Sequence, residues 1–308
     1  MADRIEIVEV GPRDGLQNED VLLSTDQKIS LIEHLVASGV KRIEAVSFAH
    51  PVYVPQMADA EAVMAGVPRI DGVSYIGLVM NWRGWQRAVD SKVDEANMPI
   101  VSTDTFNVKN QGVPTYESIK VLSDVVAQGT EEGIPVSATI AASWGDPFEG
   151  EVPVERLVDV AERVAGTGVA EIALADTIGV ADPWAVEERV TAVKSVIGDI
   201  PMRVHFHDTR NTGIANTYAA IQNGVSVIDA SVGGIGGCPF APAATGNIAT
   251  DDLVYMLNRA GFDHGVSLDS LIGVSGEMED ALGKPVPAML PKAGDFPGPL
   301  GEEGTSQA

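Results

Sequence analysis

The stretch Val204-His205-Phe206-His207-Asp208 sets two histidines two residues apart, with a carboxylate beside the second. Its flanks, Met202-Arg203 and Thr209, predict a β-strand that ends just past His207. Side chains alternate faces along a strand, so His205 and His207 share one face and Val204 and Phe206 the other. Two imidazoles on one face at a strand end, next to a carboxylate, suit a divalent metal. A surface strand carrying two solvated histidines is the alternative.

The remaining ligands must come from elsewhere, so the elements that position them matter. Aliphatic or mixed runs predict strands over residues 5–10, 42–48, 74–79, 95–101, 135–143, 171–176, 202–208 and 227–232. Helical patterns follow them at 25–38, 56–65, 81–90, 116–132, 153–165, 183–197, 212–223 and 247–260. Lys109-Asn110-Gln111-Gly112 reads as loop. A further helix over 268–282 falls outside the repeat. Strict alternation implies a parallel sheet with right-handed crossovers, and eight units imply a closed (β/α)₈ TIM barrel. An open doubly wound sheet is the second choice; no Gly-x-Gly-x-x-Gly turn follows the first strand, which weakens a dinucleotide-binding version. Residues 1–290 read as one α/β barrel domain, and the Pro-, Gly- and Glu-rich tail over 291–308 as a segment without fixed structure.

Composition agrees. The chain has 308 residues, 45% hydrophobic and only 5% aromatic, so its core must be aliphatic, as buried parallel sheets are. The net charge of −24 argues against nucleic-acid binding and against an anionic membrane surface. No apolar run approaches a membrane span, and the start of the chain has no signal-peptide pattern. The single cysteine, Cys238, excludes an internal disulfide framework and suits a reducing, cytoplasmic setting.

In such barrels the chemistry lies at the carboxyl ends of the strands. Those ends carry Arg13 and Asp14, Asp176, and His205, His207 and Asp208. Glu44 lies within a strand otherwise suited to burial, where a carboxylate needs a cation, a donor or a metal. A Gly-rich loop, Gly233-Gly234-Ile235-Gly236-Gly237-Cys238, follows the last strand, and Asn247 stands at the start of the last barrel helix. Asp14, His205, His207 and Asn247 would form a mixed O/N ligand set suited to Mg²⁺ or Mn²⁺, with Zn²⁺ or Co²⁺ as alternatives. Singly, Asp14 could be a turn residue, Asp176 or Asn247 a helix cap, and Cys238 a small buried hydrophobe.

These residues carry a family resemblance. Val8-Glu9-Val10-Gly11-Pro12-Arg13-Asp14-Gly15-Leu16-Gln17-Asn18-Glu19 resembles the N-terminal signature of 3-hydroxy-3-methylglutaryl-CoA lyases. Ile43-Glu44-x-x-Ser47-Phe48, Asp176-Thr177-Ile178-Gly179-Val180, His205-Phe206-His207-Asp208-Thr209, Gly236-Gly237-Cys238-Pro239 and Gly246-Asn247-x-Ala249-Thr250 complete it. The resemblance spans roughly residues 5–282. It implies a metal-dependent retro-Claisen lyase of the TIM-barrel type that releases acetyl-CoA from an acyl-CoA. It implies Asp14, His205, His207 and Asn247 as metal ligands and Glu44 as support for them. Arg13 would meet the enolate oxygen, Cys238 would act as general acid/base, and Asp176 and His205 would handle protons. Gln17, Ser47, Lys109 and Asn110 fall where the family touches CoA or the acyl chain. A homo-oligomer, dimer or tetramer, is expected.

The chain departs from the usual pattern near the acyl pocket. Thr139 stands where the family has tyrosine, and Ala142-Ser143-Trp144-Gly145-Asp146 replaces a Cys-Ala-x-Gly-Cys segment. Arg210-Asn211 follows the histidine strand in place of Tyr-Gly. The metal and enolate residues are intact, so the reaction class is expected to hold, with cleavage of 3-hydroxy-3-methylglutaryl-CoA to acetyl-CoA and acetoacetate as the first expectation, while the departures bear on the acyl group. A lyase for citramalyl-CoA or a longer 3-hydroxy-3-alkylglutaryl-CoA is an alternative. So is an aldolase or Claisen synthase on a 2-oxo acid. A barrel without turnover, kept as a binding protein, is opposed by the joint retention of Arg13, Asp14, His205, His207, Cys238 and Asn247.

Overall fold

Eight short parallel strands pair edge to edge until the last meets the first. They are β1 (Glu6–Glu9), β2 (Arg42–Ser47), β3 (Ser74–Leu78), β4 (Glu95–Val101), β5 (Val136–Ala141), β6 (Glu171–Asp176), β7 (Met202–Phe206) and β8 (Val227–Ala230). Each pairs with its sequence neighbours, and β1 also with β8, which closes the (β/α)₈ barrel expected from the alternation. The computed structural model describes residues 4–237 and 246–297.

The helices are α1 (Thr25–Ala37), α2 (Ala60–Gly66), α3 (Trp82–Asp90), α4 (Asp104–Gln111), α5 (Thr115–Glu132) and α6 (Val154–Ala165). They continue with α7 (Pro183–Ile197), α8 (Gly213–Gln222), α9 (Thr250–Ala260), α10 (Leu268–Leu282) and α11 (Leu290–Ala293). Local chemistry sets their starts. Ser24 and Gln27 form a reciprocal capping box on α1, and Asp182 accepts from Trp184 N and Ala185 N at α7, with Pro183 in the first turn. The helix outside the repeat, α10, packs against α1 and α9 and completes the outer ring. Among the described residues no helix is long and apolar enough to cross a membrane.

Several boundaries differ from the sequence expectation, three of them at candidate site residues or the tail. Residues 104–111, read as loop, form α4, which ends at left-handed Gly112. It is two turns long and mixed in polarity, so it shows no clear apolar period. The last barrel helix starts at Thr250, not at Asn247. The tail expected to lack structure from Pro291 begins with α11, where Asp252 accepts from Leu290 N at 3.0 Å.

Two cores result from strand alternation. Aliphatic side chains on the outer face, such as Ile43, Ile140 and Val204, pack under the helices. The inner face carries a small aliphatic cluster, Val8, Val10, Ile76 and Val227, and otherwise paired charges. Arg42 pairs with Glu95 at 2.6 Å and with Glu171 at 2.8 Å. Arg203, fully buried, lies 2.9 Å from Glu171 and 3.0 Å from Asp229. These charges climb from the strand starts toward the histidines. Each is tolerable inside only because its neighbour is charged oppositely.

One carboxylate lies outside this chain of pairs. Glu9 follows inward-facing Val8 on β1 and so points to the outer, helix-covered face, fully buried. Burial pushes its pKa up to about 7, against hydrogen bonds from Thr250, Val232 and Gly11; nearby Asp251 adds to the rise.

Arg203→Ala leaves Asp229 without its guanidinium and Glu171 with Arg42 alone, and is expected to cost about 3–5 kcal/mol of stability by urea unfolding; a loss below about 1 kcal/mol would contradict the pairing. Glu9 gives a pH test. Its folded pKa is raised, so between about 4.5 and about 7 the native state holds a proton that the unfolded state releases. Its contribution to stability therefore declines as pH rises through that window. Glu9→Gln cannot titrate, so wild type should lose up to about 3 kcal/mol relative to this variant between about pH 5 and about pH 8. Parallel pH profiles for the two proteins would refute the assignment.

Candidate active site

After β1 the chain turns through Gly11–Gly15, with Asp14 N and Gly15 N both donating to Val10 O, at 2.7 and 3.1 Å. This tight turn presents Arg13 and Asp14 over the carboxyl end of the barrel. Arg13 Nε donates to Glu44 Oε2 at 2.6 Å, and Arg13 Nη1 reaches Asp14 Oδ1 at 2.5 Å. The guanidinium thus bridges two carboxylates. The other oxygen of Glu44 accepts from Asn97 Nδ2 at 3.0 Å, and Asn97 Oδ1 accepts from Thr139 Oγ1 at 3.0 Å. Glu44 finds the cation and the donor its burial requires, and its direct contact is with Arg13.

At the end of β7, His205 and His207 face the same way, with ring centroids 5.1 Å apart. Their Nε2 atoms lie 3.8 and 4.0 Å from Asp14 Oδ2. One ligand atom from each of Asp14, His205 and His207 falls within 4.8 Å of the others. These separations exceed a hydrogen bond but suit two ligands of one ion with bonds of about 2.1 Å. His205 Nδ1 lies 3.1 Å from Asp229 Oδ2, and the other oxygen of Asp229 accepts from Arg203 Nη1 at 3.0 Å. A carboxylate on Nδ1 leaves Nε2 as the ligating nitrogen.

Asn247 is held across from His207 by backbone pairing: Asp208 N donates to Gly246 O at 2.9 Å and Ile248 N to Phe206 O at 3.1 Å. It caps no helix. Its Nδ2 donates to Asp14 Oδ2 at 3.0 Å, while its Oδ1 is buried without a partner. A buried acceptor without a donor is rare. A carboxylate and two imidazoles on one point, with the unpartnered amide oxygen of Asn247 on the residue beside them, fit a divalent cation.

The protonation states agree. Burial alone would raise Asp14, but Arg13, with His205 and His207, holds its pKa down at about 2. Burial, with His205 beside it, lowers His207 to about 4, so it is neutral and able to ligate at neutral pH. Burial opposes charge on His205 too, yet Asp229 and Asp14 outweigh it and raise its pKa. A cation at this point therefore competes with a proton on His205.

The other candidates are placed less directly. Both oxygens of Asp176 accept backbone hydrogens, from Val180 and Ala181 at 2.9 Å each. It anchors the loop after β6; the cap of α7 is Asp182. Ser47 is buried at the end of β2 and accepts from Ala49 N at 3.2 Å. Gln17 Oε1 is buried without a partner. Lys109 and Asn110 are exposed on α4, with Lys109 Nζ 4.8 Å above the Phe148 ring. Cys238 lies outside the described residues. Its flanks converge on the site: Asn18 Nδ2 donates to Gly237 O at 2.8 Å, and Gly246, at φ +102°, packs on Gly236 so closely that a Cβ would strike its carbonyl.

Two expectations about the acyl pocket are corrected. Trp144 is buried on the outer face against Phe206, with centroids 5.4 Å apart, because Phe206 alternates away from the histidines. Arg210 donates to the carbonyls of Ile178 and Gly179, at 3.0 and 2.7 Å, and so clamps the loop after β6. Of the three departures named at that pocket, Thr139 faces the barrel interior. Sequence reasoning passed over Asp229, Arg203 and Asn97. The signal was present: each is a polar residue in an aliphatic strand, as Glu44 is.

An Asp–His–His cluster at the carboxyl rim of a (β/α)₈ barrel, with an arginine pinned beside it, defines a metal-assisted barrel enzyme. The model of the HMGL-like family matches residues 4–277, and the chain belongs to that family. A hydroxymethylglutaryl-CoA lyase of Bacillus subtilis is 39% identical over 285 residues, covering 92% of this chain and 95% of the relative. An (R)-citramalyl-CoA lyase of Chloroflexus aurantiacus is also 39% identical, over 302 residues and 95% of each chain. A solved HMG-CoA lyase from Acinetobacter baumannii, in complex with coenzyme A and 3-methylmalate, superposes with a TM-score of 0.92 at 38% identity, covering 96% of this chain and 98% of that one.

Asp229→Asn places an amide donor on His205 Nδ1 and forces the proton onto Nε2. Calorimetric titration with Mn²⁺ is expected to show affinity about 10- to 100-fold below wild type in a folded protein. Wild-type affinity would contradict the role given to Asp229.

Proposed function

We propose that the protein is a divalent-metal-dependent carbon–carbon lyase that cleaves 3-hydroxy-3-methylglutaryl-CoA to acetyl-CoA and acetoacetate. The observation that carries this reading is Arg13, bridged between Glu44 and Asp14 beside the Asp14–His205–His207 cluster. A cation is stabilised there by acids and imidazoles while a second, fixed cation stands next to it. That arrangement suits a reaction in which charge passes from one oxygen of the substrate to another.

Asp14, His205, His207 and Asn247 would hold Mg²⁺ or Mn²⁺, which when bound supplies Lewis-acid stabilisation to the substrate's hydroxyl oxygen. Cleavage passes the 3-hydroxyl proton to a base, the role we assign to Asp176, turns C3–O into a carbonyl and sends the C2–C3 electron pair to the thioester as an enolate. Arg13 meets the charge on the thioester oxygen. Its guanidinium is already oriented by Glu44, which Asn97 holds in turn, so little reorganisation accompanies the step. Cys238 is the residue we assign to protonating the enolate carbon. Asp176 can take a proton only if the amides of Val180 and Ala181 release it.

Citramalyl-CoA is the second reading, supported by the citramalyl-CoA lyase of equal identity. The two differ in the acyl group that meets Thr139, not in the bond broken. Acetyl-CoA release from both thioesters, with Mg²⁺, with Mn²⁺ and with chelator, separates them. Metal-dependent release from the methylglutaryl thioester is expected; release from citramalyl-CoA alone would move the assignment, and release from neither by metal-loaded protein would overturn it. Arg13→Ala should lose about 10²–10³-fold in kcat and keep its metal, whereas His207→Ala should lose the metal. A fully active Arg13→Ala protein would remove the enolate role.

A further inference from the structure

Glu9 makes no contact with any candidate ligand, yet it joins the two segments that carry Asp14 and Asn247. Its Oε1 accepts from Gly11 N at 2.8 Å, the first residue of the turn that presents Arg13 and Asp14. The same oxygen accepts from Val232 N at 2.9 Å, at the start of the Gly-rich segment after β8. Its Oε2 accepts from Thr250 Oγ1 at 2.6 Å, three residues past Asn247. The Asn247 segment is itself laced to the end of β8, since Ser231 N donates to Ile248 O at 3.0 Å and Thr250 N to Ser231 O at 2.9 Å.

Packing does not explain a carboxylate here. The position lies between barrel and helices, where a leucine or valine would bury at lower cost but would leave Gly11 N, Val232 N and Thr250 Oγ1 without this acceptor. Gly11 N and Val232 N have no other acceptor among the described residues. Space is also committed, because a Cβ on Gly11 would lie 2.6 Å from Glu9 Oε1. A three-way acceptor at this point sets a length rather than filling a volume.

We propose that Glu9 is a positioning residue that fixes the span between the Arg13–Asp14 turn and the Asn247 segment, and so sets the opening of the metal site. This rests on the metal-site reading above. Removing the clamp lets Asp14 and Asn247 drift apart by tenths of an ångström while β7 still holds His205 and His207. Metal affinity then falls more than stability alone explains.

The test is Mn²⁺ titration of the full chain in four forms: wild type, Glu9→Ala, Glu9→Gln and Ile32→Ala. Ile32 is fully buried on α1, in the outer aliphatic core, and is no candidate ligand, so its truncation supplies a destabilised control. Glu9→Ala is expected to weaken Mn²⁺ binding about tenfold or more, as loss of outer support does at metal sites. Glu9→Gln keeps an acceptor for both amides and should recover most of that loss. Ile32→Ala should bind as wild type does. Wild-type binding by Glu9→Ala, or an equal loss in Ile32→Ala, overturns the proposal. If Glu9→Ala does not fold, Thr250→Val removes one arm of the clamp; a loss of about threefold or more supports the proposal and no loss overturns it. Failure of wild type to bind Mn²⁺ at all would instead defeat the metal-site reading.

Discussion

Asp229 holds a guanidinium on one oxygen and an imidazole on the other, and the rest of the site depends on that pairing. A charge inside a barrel must be matched at close range or it destabilises the fold by several kcal/mol. Here the matching runs as a chain from Glu95 and Arg42 through Glu171 and Arg203 to Asp229, and ends on His205. Each link restricts the next. The ionic core that holds the strands in register therefore also fixes the ring and tautomer of His205. Stability and ligand geometry are one constraint.

The mouth repeats this logic with the opposite aim. Glu44 and Asp14 together carry two negative charges, and Arg13 neutralises part of both. What remains is one carboxylate oxygen of Asp14, two Nε2 atoms and an unpartnered amide oxygen. A second cation is the natural partner for that remainder. The arginine and the metal site then share Asp14, so each sets the other's position. A bound divalent cation beside Arg13 would make this mouth locally cationic in a chain whose net charge is −24.

Much of this was legible in the residues. Strand–helix alternation led to the closed barrel because aliphatic strands bounded by capped helices admit few other arrangements. His205 and His207 were placed by strand period alone. The failures came where the chain leaves regular structure. Asn247 looked like a helix start, but pairing with the His207 backbone holds it before the helix, and that pairing is long-range. Trp144 lies where the sequence departs from the family, yet alternation on β7 turns Phe206 outward and draws the indole with it. Asp229 and Arg203 carried the same signal as Glu44, a charge in an aliphatic strand, but their partners lie on neighbouring strands far apart in sequence, so no local motif tied them to the site.

The most direct measurement is a crystal of the protein loaded with Mn²⁺, with data collected to reveal the anomalous signal of the ion. A single peak is expected among Asp14 Oδ2, His205 Nε2, His207 and Asn247 Oδ1, at ligand distances of about 2.1–2.3 Å, with His205 Nδ1 still on Asp229. No peak there in protein shown to be metal-loaded, or a peak on other residues, would contradict the account at its root.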